Sequence, residues 1–293
     1  MIKLIASDMD GTLLNEKMEV SDRNIQAIKD AEKNGIEFLI ATGRGLSEAK
    51  PFLQNHVHPG FITLNGAEVF DTKGQMISSN PLSKSSQKAV TEIFNKYHVY
   101  FEIVTDKGIF SNDREARVTN LANLLVKLNP GTTYKQALKD TQERVKMMPM
   151  NFVDSFDNIL NNDSYKIMKL IGFNEHQYKV LAPLKKEITK KVKDVVVTSS
   201  SPNNVEVNSI DAQKGIALLQ YADNKNILPE EIMAIGDNLN DYSMIRDAGT
   251  GVAMANAIPA IKELAQVETD SNINDGVAKI IEKTIADNQK QGQ

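Results

Sequence analysis

The sequence predicts an α/β fold: a doubly wound parallel sheet built from both ends of the chain, with an α+β domain inserted into it. Three observations carry that prediction. Short apolar runs that stop at acids or glycine alternate with helix-spaced segments over the first eighty residues, the rhythm of a parallel sheet covered on both faces. The same rhythm returns over the last ninety residues or so. Between them, two stretches, Ser78-Ser79-Asn80-Pro81 and Ser199-Ser200-Ser201-Pro202, read as linkers around a segment of different patterning.

The elements follow in order. Lys3 to Ser7 is an apolar run ending in acids, as a buried parallel strand would. Ser21 is an N-cap, and Ile25, Ile28 and Ala31 keep helical spacing until Gly35. Ile36 to Ala41 is the next strand. A helix is expected from Ser47, a strand around Phe61 to Leu64, and a hairpin over Val69 to Ile77 turning on Lys73-Gly74. In the inserted segment, strands are expected at 100–104, 165–171 and 195–198, and helices at about 85–97, 117–128 and 176–191. The returning segment should hold a helix from about Asp211, a strand Ile232 to Ile235 and a helix Asp241 to Ala248. A strand Gly251 to Met254 follows, and then a helix with Pro259 in its first turn. This gives a discontinuous core, residues 1–82 and 202–293, with residues 83–201 as the insertion.

Composition narrows the function classes. The chain has 293 residues, more than one average domain, and its 41% hydrophobic and 25% charged content is ordinary for a globular protein. The absence of cysteine excludes disulfides, thiolate metal sites and a cysteine nucleophile. A net charge of −4 argues against nucleic acid as a partner. No run reaches the roughly 18 apolar residues of a membrane span, and the N-terminus lacks a signal-peptide core. A cytoplasmic protein without a membrane partner is the expectation. His56, His58, His98 and His176 lack metal spacing and read as surface or packing residues. The lysines at 185, 186, 190, 191 and 193 read as a solvated helix face and its end, and Met147, Met148 and Met150 as packing residues.

Candidate chemical groups fall at strand ends or first helical turns: Asp8 and Asp10, Thr42, Lys214, and Asp237 with Asn240 and Asp241. In an open parallel sheet the carboxyl ends of the strands form the ligand crevice, so these distant pieces can meet. Carboxylates gathered there repel, each close pair by on the order of 4 kcal/mol at an effective dielectric of about 20. A cation must balance them, and hard oxygen ligands suit Mg²⁺, which shares its shell readily with phosphate. Lys214 adds a second positive charge and Thr42 a hydroxyl donor. A phosphoryl group is the ligand these parts serve together.

The chain resembles the haloacid dehalogenase-like hydrolases, specifically the Cof-type sugar-phosphatase branch. The resemblance rests on Asp8-Met9-Asp10-Gly11-Thr12-Leu13-Leu14, Ala41-Thr42-Gly43-Arg44, Leu64-Asn65-Gly66-Ala67, Gln213-Lys214-Gly215 and Gly236-Asp237-Asn238-Leu239-Asn240-Asp241. Val252 to Ala257 and Asn274-Asp275-Gly276-Val277 also fit. It implies a Rossmann-like core with a type C2 cap that closes over it. It implies Mg²⁺-dependent hydrolysis of a small-molecule phosphate ester, with sugar phosphates leading by analogy. By the same resemblance Asp8 is the nucleophile and Asp10 the general acid and base. Mg²⁺ lies on Asp8, the Asp10 backbone carbonyl and Asp237. Met9, Thr42, Gly43, Lys214 and Asn240 hold phosphoryl oxygens, and Asp241 supports Lys214 or the metal's water shell. Arg44 and Asn65 are candidates for substrate contact.

Two rivals are distinguishable. A hexose phosphomutase of the same superfamily would retain phosphate in its product. A non-catalytic sensor of phosphorylated metabolites would be expected to lack Asp8 or Asp10, and both are present. The sequence sets no oligomeric state, and the cap-over-core design can operate as a monomer.

Overall fold

The apolar runs at the two ends of the chain form one sheet in the computed structural model. The structure describes residues 1–54, 56–128, 131–147, 150–174, 178–199 and 203–291; Met148, His176 and Ser200 to Pro202 lie outside them. The chain divides into two units, Met1–Asn80 with Asp211–Gln293, and Pro81–Ile210.

The first unit carries β1 (Leu4–Ser7), β2 (Glu37–Ala41), β3 (Gly60–Thr63), β4 (Glu68–Phe70) and β5 (Met76–Ser79). The second carries β6 (Tyr100–Thr105), β7 (Gly108–Ser111), β8 (Met150–Phe152), β9 (Ile167–Phe173), β10 (Val195–Thr198) and β11 (Asn204–Ser209). The chain then returns to the first unit with β12 (Ile232–Gly236), β13 (Thr250–Ala253) and β14 (Val267–Glu268).

The first unit's sheet runs β14-β13-β12-β1-β2-β3-β4-β5. It is parallel from β14 to β3 and antiparallel beyond. Every residue of β1 is buried, as a strand covered on both faces requires. β1 lies between β2, made before the insertion, and β12, made after it, with Leu4 registered against both Glu37 and Ile232. The connections run in opposite directions from β1, so the sheet's switch point lies between β1 and β12. Helix Asp22–Lys33 buries Ile25, Ile28 and Ala31 against this sheet's core. The Ser21 hydroxyl caps it by accepting from the Asn24 amide at 3.1 Å.

Several expectations shift. Ser78 and Ser79 belong to edge strand β5 and not to a linker. The helix expected from Ser47 is the short Leu46–Ala49, and a tighter 3₁₀ turn carries Pro51 after it, because proline disfavours continued α-helix before it. The helix expected from Asp211 starts at Lys214. Helix Tyr134–Met147 and strands β7, β8 and β11 had no counterpart in the sequence reading. Residues 204–209, expected in the core segment that opens at 202, instead pair with β9 and β10 in the second unit.

The second unit is a six-stranded sheet of order β10-β11-β9-β6-β7-β8. One face packs Phe101, Ile103, Leu170, Val205 and Val207 with Val90, Phe94, Leu184 and Ile188 of its helices. The other face carries the buried Glu102, Lys169, Glu206 and Asn208, with Lys169 Nζ 3.5 Å from Glu206 Oε2. No helix among the described residues is long and apolar enough to cross a membrane.

Candidate active site

The carboxyl ends of β1, β2, β3 and β12 bring most of the expected residues together within the first unit. Asp8 follows β1 directly, and its amide donates to Ile235 O of β12 at 3.0 Å. The chain then makes a tight loop in which the Leu14 amide donates to Met9 O at 2.9 Å, while Met9, Leu13 and Leu14 are buried. Gly11 sits at φ +82°, and a Cβ there would meet Asp237 Oδ2 at 2.6 Å. Glycine is required on both counts. Thr12 Oγ1 donates to Asp237 Oδ1 at 2.9 Å, joining the ends of β1 and β12.

Lys214 is the first residue of helix Lys214–Asp223, and its side chain is fully buried. Its ammonium donates to Asp8 Oδ1 and to Asp241 Oδ1, each at 2.6 Å. Asp241 Oδ2 in turn accepts the amides of Asp237 and Asn238 at 2.9 and 3.0 Å. With both oxygens engaged, Asp241 has the geometry of a group that fixes Lys214 and the Asp237 loop. Helix Lys214–Asp223 reaches this depth because residue 215 is glycine. A Cβ on Gly215 would lie 2.5 Å from the carbonyl carbon of Ser243. The Gly215 amide instead donates to Ser243 Oγ at 3.0 Å.

At the end of β2, the buried Thr42 donates its amide to Ile62 O at 2.8 Å, and its carbonyl accepts the Asn65 amide at 3.0 Å. Its hydroxyl oxygen accepts the Arg44 amide at 3.1 Å. Asn65 adopts φ +62° after β3, a conformation asparagine tolerates better than most residues. Its Oδ1 lies 3.0 Å from where a Gly43 Cβ would stand and accepts from Asn240 Nδ2 at 3.3 Å. Asn65 thus joins Thr42 to Asn240 and lies against Gly43, three of the five residues expected to hold phosphoryl oxygens. Asn256 Nδ2 donates to Gly11 O at 2.8 Å, bracing the loop after β1 from the far side.

Asp10 stands apart. Its side chain is 46% exposed, and both of its oxygens accept from Arg44: Nε to Oδ2 at 2.7 Å and Nη2 to Oδ1 at 2.6 Å. The Arg44 guanidinium also lies over the Phe52 ring, 4.7 Å from its centroid. Sequence spacing points to neither this ion pair nor the Thr12–Asp237 bond, whose partners lie 34 and 225 positions apart; Thr12 enters the site only through the fold.

The electrostatics expose a shortage of positive charge. Burial pushes the Asp8 carboxyl well above the usual range; Lys214 pulls it down, while Asp241 and Asp237 push it further up. Asp237 is held up to about 6 by burial and then by Asp241. For Lys214, burial works against its charge, but Asp241 and Asp8 more than offset it and hold the ammonium above its ordinary range. One ammonium therefore serves three carboxyls. Ligand oxygens of Asp8, Asp237 and Asp241 lie within 4.8 Å of one another. Hard oxygen donors short of positive charge fit a divalent cation such as Mg²⁺.

A family model described as haloacid dehalogenase-like hydrolase matches residues 5–281. The 5-amino-6-(5-phospho-D-ribitylamino)uracil phosphatase YcsE of Bacillus subtilis is 32% identical over 281 residues, 96% of this chain and 94% of that protein. The pyridoxal phosphate phosphatase YbhA of Escherichia coli is 28% identical over 285 residues, 95% of this chain and 97% of that protein. A solved structure of a haloacid dehalogenase-like hydrolase from B. subtilis superposes with a TM-score of 0.83 at 30% identity, covering 96% of this chain and 99% of the other.

Proposed function

This chain belongs to the haloacid dehalogenase-like hydrolases and is a phosphatase, and from that premise we propose that it is a Mg²⁺-dependent phosphomonoesterase that works through an aspartyl-phosphate on Asp8. The observation that carries the proposal is the buried Asp8–Lys214–Asp241 chain beside Asp237 at the carboxyl ends of β1 and β12.

Mg²⁺ would be held by Asp8, Asp237 and the Asp10 carbonyl, and when bound it supplies charge to the transferring phosphoryl group. Lys214 fixes one Asp8 oxygen and leaves the other to attack phosphorus. As the Asp8 oxygen–phosphorus bond forms, the ester phosphorus–oxygen bond breaks, its electron pair leaves with the alkoxide oxygen, and Asp10 gives that oxygen a proton. A water then attacks phosphorus while Asp10 takes the water's proton. The bond to Asp8 breaks, restoring its carboxylate and releasing inorganic phosphate. Thr42, Lys214 and Asn240, with the backbone at Met9 and Gly43, hold the remaining phosphoryl oxygens as charge builds on them.

In this reading residues 1–80 and 211–293 are the catalytic core and residues 81–210 the cap. The substrate is a small organic phosphate monoester, as the names of the two relatives describe for those proteins, and sugar phosphates head the compounds to screen. Phosphate release from p-nitrophenyl phosphate should require Mg²⁺, and Asp8→Asn should reduce it by roughly 10³-fold or more. A folded wild-type protein that releases no phosphate across a broad ester panel with Mg²⁺ present would overturn the reading.

A further inference from the structure

The Asp10–Arg44 ion pair sits awkwardly with the role assigned to Asp10. A carboxyl group with both oxygens on one guanidinium cannot at the same time place an oxygen on a leaving group. The arrangement is bidentate, at 2.7 and 2.6 Å, and fork geometry of that kind fits a phosphate as well as a carboxylate.

We propose that Arg44 is a partner-exchange residue: it holds the Asp10 carboxylate while no substrate is present and transfers its guanidinium to the incoming phosphate dianion, releasing Asp10 to serve the leaving oxygen. This rests on the reading of Asp10 as general acid and base. The exchange itself is non-covalent; once its oxygens are free of the guanidinium, Asp10 takes up from solvent the proton that it gives to the leaving oxygen.

Three observations support it. Arg44 is anchored at the phosphate end of the site: its amide donates to Thr42 Oγ1 at 3.1 Å, and its carbonyl accepts the Leu64 amide at 3.0 Å. Its guanidinium is held on the Phe52 ring, which leaves the hydrogen-bonding edge to change partners without moving the stack. Both side chains are partly open to solvent, 28% for Arg44 and 46% for Asp10, so the pair is screened by water and salt and an incoming anion can reach the guanidinium. A phosphate dianion carries more charge than the carboxylate it displaces. Arg44 is a positioning residue for Asp10, and its binding of substrate is the means.

The test compares wild type, Arg44→Met, Arg44→Lys and Asp10→Asn on p-nitrophenyl phosphate and on glycerol 2-phosphate, an alkyl ester that depends more on protonation of its leaving oxygen. Inorganic phosphate serves as competitive inhibitor. Arg44→Met should raise KM for both esters and weaken phosphate inhibition by about tenfold or more, the loss expected for a charge-assisted pair. Arg44→Lys keeps the charge but not the fork, so it should fall between; it also decides the matter if the methionine variant fails to fold. The ratio of alkyl to aryl kcat should fall by about 100-fold in Asp10→Asn and should not fall in Arg44→Met. Unchanged KM and phosphate inhibition in both Arg44 variants would overturn the exchange, as would an Arg44→Met ratio that drops like that of Asp10→Asn. An Asp10→Asn ratio equal to wild type would instead remove the general-acid premise itself, whatever the Arg44 variants do.

Discussion

At the scale of single residues, Lys214 is the most constrained group in the site. It is fully buried between two carboxylates at 2.6 Å, so its removal leaves buried charge without a partner. Lys214→Met should lower kcat by roughly 10²–10³-fold, the range for losing one oxyanion donor, and should lower the urea midpoint in equilibrium unfolding. Asp237 gives a pH dependence. Its carboxyl is held up to about 6, first by burial and then by Asp241, and the proton must leave before a cation can bind. Mg²⁺ affinity, measured by calorimetry, should therefore be near its plateau at pH 7.5 and weaken as pH falls through about 6, by up to about tenfold per pH unit. An affinity flat between pH 5 and pH 7.5 would contradict this.

At the scale of elements, most strands flanking the site were legible because burial on both faces writes a continuous apolar run, as in β1, β2 and β12. Their strand ends then marked Asp8, Thr42 and Asp237 without any structure. The second unit was less readable. β11 alternates Val205 and Val207 with Glu206 and Asn208, a period-two signal that marks a strand with one apolar face. Helix Tyr134–Met147 and the short strand β8 lack comparable marks. What no element pattern could supply was pairing at a distance, and so Arg44 with Asp10, and Thr12 with Asp237, emerged only from the fold. The packing of helix Lys214–Asp223 on helix Tyr242–Asp247 makes its own prediction. Gly215→Ala would drive a methyl group into the Ser243 backbone, 2.5 Å from its carbonyl carbon, so the two helices must part. Overpacking of that kind costs about 1–3 kcal/mol, and because Lys214 rides on the same helix turn, kcat should fall together with the denaturation midpoint.

At the scale of the whole molecule, the shortage of positive charge becomes a stability term. Asp8 and Asp237 bind protons more tightly in the folded chain than in the unfolded one. That contribution is complete below the ordinary carboxylate range and is lost as pH rises through about 6, the value for Asp237. A cation that binds only the folded state restores it. The rise in Tm on adding Mg²⁺ should therefore be larger at pH 8 than at pH 5.5 in differential scanning calorimetry, and an equal rise at both would refute the charge argument. The placement of β1 between β2 and β12 has a further consequence, for biosynthesis. One neighbour of β1 is translated soon after it, but the other emerges only after the entire 81–210 unit. At elongation rates of about 5–20 residues per second that interval is on the order of ten seconds or more, during which the nascent β1 has one unpaired edge, a template for mispairing. Asp8 is made early, but the cluster it forms with Lys214 and Asp241 cannot close until the segment that follows residue 210 has been made.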